Sequence, residues 1–390
     1  MHDSRPDRRV AIVAGLRTPF AKSGTVFHDV PAVALARHAA RELLYRTELD
    51  GREVDEVIFG QVVPSLLTPN VAREVSLLPQ VLPSVPAYTL NRACASSGQT
   101  VSNAADQILL GHADTIIAGG VESLSNIPIL HSQRMSRILV EAGKAKTLGA
   151  RVGALARTRL ADLRPVAPAI AEPSTGESMG QSAEKMAKEN GITRDAQDRL
   201  ALQSHHRAAA ATADGRLPSE VAPWFGGKEM DEIVASDNGI RSDASLEALA
   251  KLPPVFDRKY GSVTAGNSSP LTDGAAAVLL MSAAKAKALG YEPLAFVRSY
   301  AVSAVDPAWQ LLMGPAYAVP KALERAGIGW EQLGLVEIHE AFAAQVLSNI
   351  QAFESKKFAQ EKLCRSEAVG AVNWDTLNVM GGSIAIGHPF

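Results

Sequence analysis

A layered α/β fold is predicted from two features of this 390-residue sequence. Segments with the apolar pattern of strands alternate with segments of helical period through the first third of the chain. Two continuous apolar runs, at 115–120 and 275–281, are typical of strands that are buried on both faces of a sheet. Since the chain is too long for one simple core, we expect more than one domain.

The first part of the chain supplies the elements of one α/β domain. We predict strands at 10–15, 57–63, 87–90 and 115–120 and a helix at 31–49, with Pro31 in its first turn. Another helix follows Cys94, because apolar residues recur there at helical spacing and Gly111 suits its end. The residues of that apolar face are Val101, Ala104, Ala105, Ile108 and Leu109.

A second α/β part follows a long insertion. Strands are predicted at 275–281, 296–304 and 336–338, and a helix at 341–353. The predicted domains are therefore 1–123 with 272–293, an inserted domain at 124–271, and a last domain at 294–390.

The insertion is predicted to have little strand content. A helix is expected from Thr193, as its N-cap, to about residue 214. The segment 134–164 is strongly basic. Such a run is usually a solvated face, and the alternative is contact with coenzyme A phosphates, acidic lipid headgroups or a partner subunit.

Composition excludes several classes of protein. The net charge of −2 and the 46% hydrophobic share are ordinary, so no basic field indicates nucleic acid. The two cysteines, Cys94 and Cys364, are too few for a disulfide framework or a cysteine zinc site, and we expect no metal. A charged start, with no apolar run of about 18 residues, leads us to expect a cytoplasmic protein.

Three residues have the chemistry of a nucleophilic site. Cys94 lies between a strand and a helix, where unpaired N–H groups and the helix dipole favour a thiolate and can bind an oxyanion. His339 and His388 lie at a strand end and after a Gly-Gly loop, and an imidazole can take the proton of a thiol. A buried structural cysteine and two structural histidines are the alternative reading.

Five motifs in order resemble the thiolase family, and the resemblance covers essentially the whole chain. They are Asn91-Arg-Ala-Cys-Ala-Ser-Ser-Gly98, Ala118-Gly-Gly-Val-Glu-Ser123, Gly261-Ser-Val-Thr-Ala-Gly-Asn-Ser-Ser-Pro-Leu-Thr-Asp-Gly274, His339-Glu-Ala-Phe342 and Gly381-Gly-Ser-Ile-Ala-Ile-Gly-His-Pro389. Histidine before Glu340, together with the basic segment, is most similar to the thiolase subunit of fatty acid oxidation complexes. The implied fold has two similar βαβαβαββ-type halves in α/β/α/β/α layers, with an inserted loop domain.

The resemblance implies a role for each site residue. Cys94 would accept the acyl group, His388 would activate it, and His339 would orient a water in one oxyanion hole, while the Cys94 N–H would serve a second. Gly381 and Gly382 would support this loop. The residues that would contact coenzyme A, the co-substrate, are Asn267, Ser268 and Ser269. The implied reaction is ping-pong cleavage of 3-ketoacyl-CoA to acetyl-CoA and a shorter acyl-CoA, without a prosthetic group.

The resemblance also implies partners and leaves alternatives open. A homodimer is expected, with possible binding of a hydratase–dehydrogenase α subunit and peripheral membrane contact through 134–164. The alternatives are a biosynthetic acetoacetyl-CoA thiolase, a ketoacyl synthase on the same fold, and a non-catalytic lipid carrier or scaffold.

One departure from the family pattern concerns the chain end. Thiolases carry a second catalytic cysteine some tens of residues after the Gly-His-Pro motif, whereas this sequence stops at Phe390. Cys364 precedes the motif in a polar stretch and is not assigned that role. We therefore expect a C-terminally truncated thiolase, with an incomplete last half and poor activity.

Overall fold

The computed structural model describes residues 8–166, 171–226 and 231–390. The first seven residues, part of the charged start on which the location was predicted, lie outside these ranges. Among the described helices, none combines the length and apolar character needed to cross a membrane.

One mixed sheet of seven strands forms the centre of the first domain, in the order β4-β3-β5-β8-β1-β9, with β2 paired to β8. β3 is parallel to β4 and β5, whereas β8 runs antiparallel to β5 and β1. The strands are β1 (Val10–Arg17), β2 (Ala21–Lys22), β3 (Glu56–Gly60), β4 (Ala87–Leu90), β5 (Thr115–Ser123), β6 (Trp224–Gly226), β7 (Glu232–Val234), β8 (Thr272–Ser282) and β9 (Ala295–Val297). Every residue of β5 is buried, as its apolar sequence predicts.

Helices cover both faces of this sheet and are the main regular structure in the rest of the described chain. They are α1 (Ala32–Thr47), α2 (Val71–Ser76), α3 (Ser96–Leu110), α4 (Gln133–Lys144), α5 (Leu148–Leu155), α6 (Met179–Glu189), α7 (Arg194–Ala213), α8 (Arg216–Glu220), α9 (Leu246–Ala250), α10 (Ala283–Ala288), α11 (Gly314–Ala326), α12 (Ala343–Glu354), α13 (Lys356–Lys362) and α14 (Ser383–Ile386). α1 and α2 pack on one face around Phe27 and Phe59, and α3 packs on the other around Ile58 and Ile108.

The predicted caps are found where the sequence places them. Gly111 ends α3 with φ of +80°, a left-handed conformation that favours glycine. Thr193 caps α7 by accepting a hydrogen bond from the N–H of Ala196 at 3.2 Å. Pro31, however, is the N-cap of α1 and does not lie inside its first turn.

The second α/β part has less regular strand than predicted. Of the predicted strand 296–304, only 296–297 is paired, as part of β9, with β1 of the first sheet. The segment 336–338 contributes a single parallel bridge between Val336 and Leu377. A strand forms where its backbone pairs with a neighbouring strand along its length. Within the described ranges, these segments have no neighbouring strand with which to pair further. The domain instead packs around α12, with Val346, Ile350 and Phe353 in its core.

The insertion has little strand, as predicted: among its described residues the strands are the pair β6 and β7, and the helices are α4 to α9. α4 and α5 pack on each other and, with the turn that follows to residue 164, form a unit that we call the basic hairpin (residues 133–164). Arg134 pairs with Asp162, and Arg157 with Glu141, within the hairpin.

Chain direction brings several strand ends to one edge of the sheet. β3, β4 and β5 are parallel, so their carboxyl ends lie together, with Gly60 beside both Leu90 and Gly120. β8 is antiparallel and begins at the same edge, where Ser123 faces Asp273. Loops at such an edge are where α/β folds place their chemistry.

Candidate active site

Cys94 lies in a tight turn between β4 and α3. It precedes Ala95, the N-cap of α3, so the helix begins two residues after the cysteine and not at it. Ala93 has φ of +44°, in the left-handed region that residues with a Cβ rarely adopt. A conformation of this kind costs on the order of 1–3 kcal/mol and persists only where surrounding contacts fix it.

Two polar side chains fix this turn. Ser96 is fully buried; its Oγ accepts from the N–H of Arg92 at 2.8 Å and donates to the carbonyl of Ala93 at 2.6 Å. Asn91 Oδ1 accepts from the N–H of Ala93 at 2.9 Å. Together these bonds hold both peptide groups of Ala93, so the position of Cys94 is determined by its neighbours.

Glycines on the sheet allow α3 to approach closely. A Cβ on Gly60 would lie 2.7 Å from the Cβ of Ser96, and one on Gly120 would lie 2.0 Å from Ser97 Oγ. Both distances are far below van der Waals contact, so only glycine fits at these two positions. The start of α3, and Cys94 with it, is thereby seated at the sheet edge described above.

The thiol of Cys94 differs from the prediction. We expected the helix terminus to favour the thiolate, but burial raises the pKa of the Cys94 thiol above its ordinary value. Cys94 is nonetheless an exposed residue, so the desolvation that disfavours its charged form is partial. The helix-dipole prediction was wrong because desolvation outweighs a helix end two residues away. Cys94 is a neutral thiol that needs a base.

His339 and His388 form a close pair of imidazoles. Their ring centroids are 4.1 Å apart, and the rings are inclined at 65°. The backbone N–H of His388 donates to Thr272 Oγ1 at 2.9 Å, which ties it to the first residue of β8. Phe390 packs edge-on against the His388 ring, with centroids 4.8 Å apart.

His388 has an unused ring nitrogen. The residue is 6% exposed, and its Nε2 has no hydrogen-bond partner among the described residues. Burial, with the neighbouring His339, lowers the pKa of the His388 imidazole well below its ordinary value. A buried polar atom without a partner is rare and calls for an explanation, such as a substrate or a reacting group.

His339 is oriented by a serine. Its Nδ1 lies 3.0 Å from Ser383 Oγ, and Ser383 Oγ also accepts from the N–H of Glu340 at 2.8 Å. Desolvation lowers the pKa of His339 to about 4, although the residue as a whole is exposed. Both imidazoles are therefore neutral near neutral pH.

Glu340 joins the loops around these histidines. Its buried carboxyl group accepts hydrogen bonds from Ser204 Oγ at 2.6 Å, Asn378 Nδ2 at 2.7 Å and the Ile384 N–H at 3.2 Å. Burial raises the pKa of Glu340. A Cβ on Gly382 would lie 2.2 Å from its carboxyl carbon, which explains glycine there.

Gly381, the other glycine of the predicted loop support, is required for a different reason. Its φ is +77°, and a Cβ would meet the backbone oxygen of Ser204 at 2.5 Å. The two glycines therefore let the loop before α14 pack closely against α7 and Glu340. Their contribution to an oxyanion hole remains a prediction.

The predicted coenzyme A contacts are placed differently. Asn267 is fully buried; its Oδ1 accepts from the Thr264 N–H at 2.8 Å, and its Nδ2 donates to Asp198 Oδ1 at 2.9 Å. The Asn267 side chain is therefore used inside the insertion, and its contact with coenzyme A stays a prediction.

The two serines beside Asn267 also bond to the backbone. Ser268 Oγ donates to the Thr264 carbonyl at 2.7 Å, and Ser269 Oγ to the Ala341 carbonyl at 3.1 Å. Both residues are partly exposed, so their contact with coenzyme A stays a prediction. Their observed role is to join the insertion to the turn that follows His339.

The structure places the predicted site residues at one edge but does not bond all of them together. His388 is tied to the start of β8, and Cys94 follows β4 at the same edge of the sheet. In the parts of the chain that the structure describes, neither imidazole is hydrogen bonded to Cys94 Sγ. The structure thus places the thiol of Cys94 and the unpartnered Nε2 of His388 on loops at the same edge of the sheet.

Sequence reasoning missed the residues that orient this site. They are Ser96, Thr272, Glu340 and Ser383, each of which bonds to a residue of the site or to its loop. All four lie inside the quoted motifs: Ser96, Glu340 and Ser383 are close to Cys94, His339 and Gly382, and Thr272 is in the motif that ends at Gly274. The sequence signal that could have identified these residues is a hydroxyl or carboxyl group close to a candidate catalytic residue.

Family models match nearly all of the chain. The model described as "Thiolase, N-terminal domain" matches residues 10–284, and "Thiolase, C-terminal domain" matches residues 291–390. A 3-ketoacyl-CoA thiolase of Aeromonas salmonicida is 52% identical over 392 residues, covering 99% of this chain and 88% of that protein. One of Pseudoalteromonas translucida is 51% identical over 382 residues, covering 98% and 87%.

Solved structures agree with these matches. The crystal structure of the Bacillus anthracis acetyl-CoA acetyltransferase superposes with a TM-score of 0.82 at 32% identity, covering 99% of this chain and 89% of that one. Human mitochondrial 3-ketoacyl-CoA thiolase gives a TM-score of 0.80 at 31% identity, with the same coverage. The predicted fold class is thereby confirmed, whereas the expected truncation is not confirmed by these comparisons.

Proposed function

Since this chain belongs to the thiolase family, we propose that it cleaves 3-ketoacyl-CoA by acyl transfer through a thioester on Cys94. The activity is that of an acyltransferase, in which coenzyme A is the second substrate. The observation that carries the catalytic assignment is the buried, unpartnered Nε2 of His388 beside His339, at the sheet edge that holds Cys94.

The resting site is a neutral thiol with a neutral imidazole. Burial raises the pKa of Cys94 and lowers the pKa of His388, which favours the neutral thiol and the neutral imidazole before substrate binds. The proton of Cys94 Sγ passes to His388 Nε2 as the sulfur attacks the 3-keto carbon. His388 is the base in this step.

Bond cleavage then separates the two products. The bond between C2 and C3 of the substrate breaks, its electron pair forms the enolate of acetyl-CoA, and that enolate takes up the proton that His388 accepted from Cys94. Coenzyme A then gives its thiol proton to His388 as its sulfur attacks the acyl group, and the Cys94 sulfur leaves with the electron pair of the broken thioester C–S bond and takes up that proton. Over the whole cycle, one carbon–carbon bond of the substrate and the S–H bond of coenzyme A are broken. A thioester bond and a C–H bond are formed in their place, so protons and electrons balance.

Oxygen anions form twice in this sequence and need fixed donors. His339 lies against His388 and is neutral, so it can donate one hydrogen bond to such an oxygen, directly or through water. Loss of one preorganised donor typically lowers a rate by ~10²–10³. No prosthetic group is needed for any step of this proposal.

Steady-state thiolysis by matched cysteine variants tests the assignment. Cys94→Ala abolishes consumption of 3-ketoacyl-CoA with coenzyme A, whereas Cys364→Ala, at an exposed site outside the cleft, retains wild-type activity. His388→Ala lowers kcat by ~10²–10⁴, the usual contribution of a general base. Full activity of Cys94→Ala would refute the proposal.

Substrate range separates this activity from the biosynthetic alternative. The chain is 52% identical to the 3-ketoacyl-CoA thiolase of Aeromonas salmonicida, whereas the Bacillus anthracis acetyl-CoA acetyltransferase and the human 3-ketoacyl-CoA thiolase are 32% and 31% identical to it. Turnover of long 3-ketoacyl chains at least as fast as acetoacetyl-CoA supports the degradative assignment. Activity confined to acetoacetyl-CoA favours the biosynthetic one.

The basic hairpin supports contact with an anionic membrane surface. It exposes apolar side chains beside unpaired cationic ones, the combination found in interfacial helices. The exposed apolar residues are Leu139, Val140, Leu148, Val152, Leu155, Leu160 and Leu163. Flotation with anionic vesicles, compared with neutral ones, is expected for wild type and lost in an Arg137→Glu, Arg151→Glu, Arg159→Glu variant. Equal flotation of both proteins would reject this contact.

Assembly into a homodimer is part of the same proposal, as is a cytoplasmic location. Leu66 and Leu67 are 80% and 93% exposed in the loop after β3, next to the site edge, and adjacent exposed leucines suit a protein interface. Light scattering should report a dimer for wild type and a smaller species for Leu66→Ser, Leu67→Ser. Binding of a hydratase–dehydrogenase α subunit is tested by co-purification of the two chains.

A further inference from the structure

We propose that Ser383 is a positioning residue that fixes the tautomer of His339, so that His339 presents Nε2–H to the substrate oxygen. The inference rests on the proposed function, because it gives His339 its chemical task. Ser383 itself does not touch the reacting atoms in this account and acts only through the imidazole.

Ser383 is held in place before it meets His339. It is the first residue of α14 and is 8% exposed. Its Oγ accepts from the N–H of Glu340 at 2.8 Å, and the Glu340 side chain accepts in turn from the N–H of Ile384, the next residue along the chain. This reciprocal pair of bonds leaves the Ser383 hydroxyl little freedom to turn away.

The proton and the two lone pairs of the Ser383 hydroxyl determine the tautomer of His339. A hydroxyl has one proton and two lone pairs, and the Glu340 N–H occupies one lone pair. If His339 Nδ1 is unprotonated, the hydroxyl donates to it across the observed 3.0 Å, and every polar group is satisfied. If Nδ1 carries the proton, it donates to the hydroxyl, whose own proton then has no acceptor among the described residues.

The first arrangement places the proton of neutral His339 on Nε2. Desolvation lowers the pKa of His339 to about 4, so the ring is neutral near neutral pH and has only one N–H to offer. Since Ser383 occupies Nδ1, Nε2 is the ring nitrogen left for substrate.

Two adjacent imidazoles thereby take opposite roles. His388 keeps a buried Nε2 without a partner, available to accept the Cys94 proton, while His339 donates from its Nε2. In the wrong tautomer His339 would present a lone pair to an oxygen anion and would repel it. The Ser383 hydroxyl therefore determines that His339 acts as the donor, while His388 acts as the base.

Tautomer and kinetics can be measured on the same variants. We expect Ser383→Ala to lower kcat about 10- to 100-fold, the usual range for a group that orients a catalytic ligand, with KM changed less than about 2-fold. Ser383→Thr retains the hydroxyl and is expected to restore most of the activity. Thermal unfolding of each variant reports separately on the lost Glu340 contact.

A double mutant isolates the action through His339. In a His339→Ala background, Ser383→Ala is expected to lower kcat by less than about 2-fold, because the group that it orients is gone. An undiminished 10- to 100-fold loss in that background would overturn the proposal, since Ser383 would then act independently of the imidazole.

Nitrogen NMR of ¹⁵N-histidine-labelled protein gives the direct readout. The His339 signals, assigned by their absence in His339→Ala, should show Nε2–H in wild type and a mixture of tautomers in Ser383→Ala. Nδ1–H in wild type, or the same tautomer in both proteins, would overturn the proposal. Absence of thiolysis by wild type would instead refute the proposed function, and the tautomer measurement would still decide the role of Ser383.

Discussion

Replacing Gly382 by alanine is expected to dislodge the network that carries His339. The added Cβ would lie 2.2 Å from the carboxyl carbon of Glu340 and 2.4 and 2.5 Å from its two oxygens. The φ of Gly382 is −144°, which alanine adopts without strain, so the effect is steric. Either the loop or the Glu340 carboxyl group must move.

The expected loss of stability follows from the hydrogen bonds that the Glu340 carboxyl group accepts. Its carboxyl group accepts from Ser204, Asn378 and Ile384, and it cannot move away from Gly382 without losing some of these bonds. With a net value of about 1 kcal/mol for each buried hydrogen bond, we expect about 3 kcal/mol less stability if all three are lost. Because Glu340 follows His339 directly, kcat should fall as well, by at least about 10-fold.

Urea unfolding and thiolysis measure the two effects, with Gly143→Ala as the matched control. Gly143 lies in α4, and a Cβ there would have no neighbour within 4 Å. The free energy of unfolding of this control should rise by up to about 1 kcal/mol, because alanine has a higher helix propensity than glycine, and its activity should be unchanged. If Gly382→Ala matches wild type in both its free energy of unfolding and its kcat, the steric account of this loop is refuted.

Three further outcomes are expected. Activity should persist on lowering the pH to about 5 and fall below it, because the pKa of His339 is about 4 and that of His388 is also lowered; a kcat/KM inflection near the ordinary value of about 6.5 would contradict this. Burial raises the pKa of Glu122 from 4.5 to about 7, so its protonated form stabilises the fold at low pH, and that contribution of about 3 kcal/mol is lost as pH rises from about 4.5 to 7. Comparison with Glu122→Gln, which does not titrate, should reveal this slope in urea unfolding, and parallel pH dependences would exclude it. Thr272→Val removes the bond to the His388 N–H and should lower kcat more than it raises KM; an unchanged kcat would show that this bond is dispensable.

Much of the first sheet could be predicted because the pattern of its strands is local. The apolar runs at 115–120 and 275–281 became β5 and β8, and Gly111 and Thr193 ended or capped the helices assigned to them. The segments 298–304 and 336–338 failed as strands because apolar composition does not supply a pairing partner.

The candidate site was predictable in its residue types but not in its electrostatics. Cys94, His339 and His388 could be named from the motifs, yet the direction of the Cys94 pKa shift depends on how closely other segments surround the sulfur. The burial of Asn267 and the bond from Ser383 to His339 likewise join residues that are distant in sequence. Spacing along one chain does not encode such contacts, so these assignments required the structure.

Intact-mass analysis after mixing the protein with 3-ketoacyl-CoA, without free coenzyme A, tests the central claim most directly. We expect the mass to rise by one acyl group, with the modification on the peptide that contains Cys94 and its loss on addition of coenzyme A. Turnover without an acylated protein, or an acyl group carried by Cys364, would contradict covalent catalysis at Cys94.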